Sequence, residues 1–99
     1  MLYYAVFINF SHNFHMENIR ELYAFISTSK IRNKILKVLG KKDMRQAEVS
    51  KLIGEKQPNV SKALHELEKK KLTLCLTPEK KAWKVYGVTD LGKKVLNYQ

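Results

Sequence analysis

This 99-residue chain has a single cysteine, so no intrachain disulfide forms and no paired-thiolate metal site can be built within one copy. A reducing, cytoplasmic setting fits. Acidic side chains are scarce, nine against nineteen basic ones, for a formal charge of +10. Long apolar runs are lacking too. The opening MLYYAVFINF falls far short of the roughly 20 residues that span a bilayer, and no basic segment precedes it as in a secretory signal, so no membrane anchor is expected. Nothing repeats and no low-complexity stretch divides the chain, which predicts one compact α+β unit. A Ser/His/Asp grouping, a phosphate-cradling glycine loop, a paired-carboxylate site and zinc-ligand spacing are all missing, so no catalysis, cofactor or metal is expected.

What the chain has is lysine, unevenly placed. Residues 1–29 hold one Arg and two Glu, whereas residues 30–99 hold eighteen basic and seven acidic side chains. Such a field concentrates polyanions and suits phosphate, although a basic face is also an ordinary solvated surface. At this length the buried share of the surface is limited, and a dimer interface is a common supplement.

Residues 1–10 are apolar and uncharged, and SHNFHM after them is polar and turn-like. Residues 1–16 fit an N-terminal arm, and equally an extension ahead of a start at Met16. From Glu17, Ile19, Leu22, Tyr23 and Ile26 keep the spacing of one helix face, with Phe25 widening it, and predict a helix ending near Ser27. Ser27, Thr28 and Ser29 offer N-caps for a second helix, lined by Ile31, Ile35, Val38 and Leu39 and stopped by Gly40. Asp43 is expected to cap a third, with Gln46 completing a capping box and Ala47, Val49, Leu52 and Ile53 on its buried side. Gly54 suits the left-handed position that ends it. After the turn GEK, Gln57 takes the N-cap and Pro58 the first helical position, where a missing N–H costs nothing. That fourth helix is expected to run to about Lys71, with Val60, Leu64 and Leu67 inward. Leu72 to Thr77 alternates as a strand, Pro78 to Lys81 reads as a turn, and Ala82 to Val88 as the hairpin partner. Thr89 or Asp90 caps a last helix with Leu91, Val95 and Tyr98 along one stripe.

Two short amphipathic helices around a glycine turn, the second opening on polar side chains, form the pattern of a DNA-reading helix-turn-helix. Gln57, Pro58, Asn59, Ser61, Lys62 and His65 are the candidates to face a major groove and touch base edges or phosphates. The alternative is a solvated face. Asn and Ser are weaker helix formers than Ala or Glu, and their use in good helix positions favours contact. Lys80, Lys81 and Lys84, at or beside the hairpin tip, are candidates for phosphates or the minor groove, against a role in solubility. Lys69, Lys70 and Lys71 complement a helix dipole. His12 and His15 lack a third ligand and read as a solvated pair. Cys75 reads as a small packed side chain, with a redox-sensing thiol as the lesser alternative, and Trp83 and Tyr86, at alternating strand positions, as cover for the core before a stacking contact with bases. The surplus apolar stripes at the two chain ends, Ile19, Leu22, Tyr23 and Ile26 with Leu91, Val95 and Tyr98, are the expected homodimer interface.

The stretches STSKIRNKIL, AEVSKLIGEKQPNVSKALHELEKKKL and KVYGVTDLGKKVL, about residues 27–96 together, resemble winged helix-turn-helix transcription regulators of the ArsR and MarR kinds, particularly the small archaeal versions. QPNVSKALHEL is similar to their recognition helix, and YGVTDLG to the wing strand leading into the closing helix. The resemblance implies an α+β, mainly α, winged helix-turn-helix DNA-binding domain over residues 17–99, with a two-stranded β-hairpin wing and terminal dimerisation helices. It implies a homodimeric regulator of double-stranded DNA, a repressor before an activator, whose wing touches DNA beside the groove. Metal-sensing ArsR relatives carry a cysteine motif on the recognition helix. None lies between residues 57 and 71, so metal sensing by that route is not expected. A winged-helix protein-interaction adaptor or an RNA-binding module is the rival reading.

Overall fold

The computed structural model describes residues 19–98. The expected arm over residues 1–16, with His12 and His15, lies outside that range. Helix α1 covers 19–27, followed by α2 (Lys30–Lys41), a two-residue strand β1 (Met44–Arg45), α3 (Gln46–Ile53) and α4 (Gln57–Lys69). Strands β2 (Thr73–Cys75) and β3 (Val85–Val88) and helix α5 (Asp90–Leu96) complete the order. The expected succession of helices and hairpin is present, with β1 added.

The side chain of Ser29 caps α2 by accepting the Arg32 N–H at 3.2 Å. Gly40 does not stop this helix, which continues to Lys41. It makes room for α5 instead, since a Cβ there would stand 2.7 Å from Cδ1 of Leu96. Leu36, absent from the expected stripe, is completely buried beside Ile35, because α2 packs on α3 and α4 and also on α5.

β1 displaces the expected cap of α3. Asp43 stays exposed, Arg45 is the N-cap, and its backbone N–H donates to Oε1 of Glu48 at 2.9 Å. The carboxylate half of a capping box is therefore there, two residues further along than Asp43 and Gln46 would place it. Val49 and Ile53 are buried as expected, but Leu52 is 65% exposed and Ala47 is exposed, because eight residues present only a narrow face to α2 and α4.

Gly54 adopts φ 71, the left-handed region that glycine enters without a Cβ penalty. The Ser50 hydroxyl donates to the Glu55 carbonyl and closes the turn. Lys56, not Gln57, is the N-cap of α4, and Pro58 occupies the second helical position, still among the unpaired N–H groups of a first turn. The helix ends at Lys69, short of Lys71, which turns the chain with φ 64.

Val60, Ala63, Leu64 and Leu67 of α4 close on Ile35, Leu36, Val49, Leu72 and Val95 in one core. The sheet order is β1-β3-β2, with both pairs antiparallel. Tyr86 and Val88 of β3 pack on that core, and pairing carries Met44 and Thr73 to the same side. Leu74 and Leu76 therefore point away and are 40% and 43% exposed, while Thr73 is buried with its hydroxyl unpartnered among the described residues.

The hairpin partner is shorter than expected. Leu76 N–H donates to the Val85 carbonyl at 2.7 Å, and the Thr77 hydroxyl accepts the Val85 N–H at 3.0 Å, which ends the ladder. Ala82, Trp83 and Lys84 are loop, and Trp83 is exposed rather than laid over the core. Tyr86 does pack on the core, as expected. Thr89 caps α5 by accepting the Gly92 N–H at 3.0 Å, and its own hydroxyl donates to the Lys71 carbonyl at 2.7 Å, fastening α5 to the end of α4. Tyr98 lies past the helix, its ring 5.2 Å from that of Tyr23.

Candidate nucleic-acid interface

Burial of Val60, Ala63, Leu64 and Leu67 settles the opposite side of α4. With 3.6 residues per turn, Gln57, Pro58, Asn59, Ser61, Lys62 and His65 must look outward, and all six are exposed. Neither α4 nor α2 has an acidic residue in its first turn, so nothing there opposes the positive end of its dipole. Glu66 is turned aside. Its Oε1 accepts from Nη1 of Arg32 at 3.1 Å, and Arg32 also donates through Nε to the Phe25 carbonyl at 3.0 Å and stacks 3.9 Å from the Phe25 ring centre. One guanidinium thus ties α4 to α1 and pairs the Glu66 carboxylate, which lines the same opening as Asn59 and Lys62.

Three of the outward residues line two openings of about 250 Å³ each. Gln57 lines one, facing Lys81, Trp83 and Lys84 of the wing loop across Arg45, Gln46 and Tyr86. Asn59 and Lys62 line the other, beside Ser29 and Ile31 at the head of α2. Pro58, Ser61, His65 and Lys80 are exposed and line neither. The structure therefore joins Lys81 and Lys84 to the start of α4 and leaves Lys80 apart.

Arg45 and Gln46 are parts of this surface that sequence reasoning missed. Gln46 Nε2 lies 3.4 Å from both the backbone oxygen and Oε1 of Gln57. The Arg45 guanidinium stands over the Trp83 ring, 4.8 Å from its centre, with Nε 3.6 Å from Oε1 of Glu48. A two-residue strand carries too little alternation to be read from sequence, so the placement of Arg45 had no local signal. The backbone N–H of Arg45, with the positive charges of Arg45 and Lys42, holds the Glu48 carboxyl below its ordinary range, against a smaller opposing effect of desolvation. Burial pushes the Tyr86 phenol above its usual value, assisted by the negative charge that Cys75 and Glu68 can carry.

Of the expected dimer residues, Leu22, Ile26 and Val95 lie inside the protomer's own core, at 7%, 4% and 1% exposure. The packing of α5 and α1 against α2 covers them. Ile19, Tyr23, Leu91 and Tyr98 remain half-buried at the rim. Among the described residues no group of three or more metal-binding side chains occurs, and no helix is long and apolar enough to cross a membrane.

No protein-family model matches the sequence, and none of the curated proteins does. Solved structures do match. The MepR–DNA complex of Staphylococcus aureus shares 23% identity at a TM-score of 0.64, over 93% of this chain and 77% of that one. MepR itself, a transcription regulator of the multidrug efflux pump MepA, gives 24% and 0.63 over 98% and 73%. A MepR variant from a multidrug-resistant clinical isolate gives 24% and 0.65 over 98% and 72%. At this identity the likeness establishes the fold alone, a winged helix that is mainly helical with an antiparallel wing sheet.

Proposed function

We propose that this chain is a cytoplasmic, non-enzymatic transcription regulator that binds double-stranded DNA sequence-specifically as a homodimer and acts as a repressor. In this reading α4 lies in the major groove, and the wing loop over residues 77–84 lies on the backbone or in the minor groove. One observation carries it: the six outward positions Gln57, Pro58, Asn59, Ser61, Lys62 and His65 of α4 are polar or proline and exposed, while the inward set of the same helix is sealed in the core. The +10 charge and the two wing lysines beside Gln57 support it, as does the solution of similar MepR structures with DNA. Ile19, Tyr23, Leu91 and Tyr98 form the rim through which two copies pair, placing recognition helices about 34 Å apart on a near-palindromic site.

Selection of duplexes from a random pool tests this directly. A regulator enriches a near-palindrome, whose affinity falls steeply with salt as lysines release counterions. Lys62→Ala then weakens all duplexes, whereas Asn59→Ala mainly blunts the preference among them. Weak, sequence-blind binding that survives neither selection nor physiological salt would overturn the proposal in favour of a protein-interaction role.

A further inference from the structure

Trp83 is the chain's only tryptophan, and it is 70% exposed on a loop that it shares with Lys80, Lys81 and Lys84. Its backbone sits at φ 62, a left-handed conformation that disfavours any residue with a Cβ. Strain of that kind persists only where the surroundings hold it, and it clusters at functional positions. The Arg45 guanidinium lies over one face of the indole, with Nε 3.6 Å from Oε1 of Glu48. Across the cleft stands Gln57, at the head of α4.

We propose that Trp83 is a DNA-contacting residue of the wing. Its open face packs on the deoxyribose edge of the groove, beside phosphates held by Lys81 and Lys84, and Arg45 acts behind it as a positioning residue. The inference rests on the DNA-binding reading above and adds to it a contact that is neither charged nor base-reading. The geometry chooses among the uses of an exposed aromatic. A wedge driven between base pairs needs both faces of the ring, and one face of Trp83 is taken by Arg45. A single free face suits a flat apolar contact with sugar, which positions the wing without carrying sequence information. That contact adds affinity but releases no counterion.

The test is titration of the full chain with a mixed-sequence duplex at low salt, followed by anisotropy of a label on the DNA and by tryptophan emission. Emission reports this ring alone. At saturation it shifts to the blue, and acrylamide quenching falls. Trp83→Gly removes the ring and relieves the left-handed backbone, so its thermal stability equals or exceeds that of the parent while duplex affinity drops about tenfold. Its slope of log affinity against log salt matches the parent, whereas Lys81→Ala lowers that slope by about one. Trp83→Phe recovers most of the affinity. Arg45→Gln weakens binding in the parent but adds no loss in the Trp83→Gly background, the signature of action through the ring rather than on a phosphate. Unchanged emission and quenching at saturation, or Trp83→Gly binding as tightly as the parent, overturns the Trp83 contact and leaves DNA binding standing. No anisotropy change at low salt removes both.

Discussion

Helix α4 and the wing face each other across one cleft, yet their sides are settled in different ways. In α4 a period of 3.6 leaves one way to bury Val60, Ala63, Leu64 and Leu67, and the outward residues follow from it. Across β2 and Leu76 just after it, alternation offers two faces, Leu74 and Leu76 on one and Thr73 and Cys75 on the other. Apolarity alone favours burying the leucines, but the molecule buries Thr73. The deciding residues lie on β3, whose Tyr86 and Val88 face the core and carry the paired Thr73 and Cys75 with them. A helix of this kind chooses its own face, whereas an edge strand takes its face from the strand it pairs with.

The contrast breaks most readily in the two leucines that look alike in sequence. Leu64→Ala, at 1% exposure, is expected to lower stability by about 3 kcal/mol in denaturant unfolding, and Leu76→Ala, at 43%, by less than about 1 kcal/mol. Equal losses would show that β2 faces the other way. Gly92→Ala probes the junction behind the wing. A Cβ there runs into the Leu72 carbonyl and stands 2.7 Å from Cγ1 of Val88, so a loss of about 2 kcal/mol is expected on thermal unfolding. At Gly40 the obstacle is only the movable end of Leu96, and Ala should be far better tolerated.

Thr73→Val keeps the shape of the inward side chain and removes a buried hydroxyl without a partner among the described residues, so a gain of about 1 kcal/mol is expected. A loss would mean that the hydroxyl is satisfied in solution. The smallest effect concerns Glu48. Its folded value is held below the ordinary 4.5, so its contribution is present in full above that value and disappears as pH falls through the lower folded one. Unfolding of the parent and of Glu48→Gln, compared across that acidic window, should differ at neutral pH and converge in acid.

Most of the helical framework was legible because its signals are local. The apolar spacing of α1 and α4, the Ser29 cap, the Thr89 cap and the left-handed Gly54 each depend on residues within a turn or two. The errors share a different origin. Gly40 read as a stop because its partner, Leu96, is 56 positions away in the chain. Asp43 read as a cap because β1 exists only through its pairing with β3. Trp83 read as core cover because the strand was extended past Val85, where Thr77 ends it. Within the candidate interface the six outward residues of α4 were visible, whereas Arg45 and Gln46 were not.

Local periodicity and end-capping chemistry were enough to specify four of the helices nearly in place, the exposed polar face of α4 and the turn at Gly54, since backbone geometry links neighbours a few residues apart. Long-range packing alone assigned the inward side of β2, set Arg45 over Trp83, turned Glu66 toward Arg32 and enclosed Leu22, Ile26 and Val95 within one protomer. Those outcomes depend on which distant atoms compete for the same buried space, and no spacing along the chain encodes that competition.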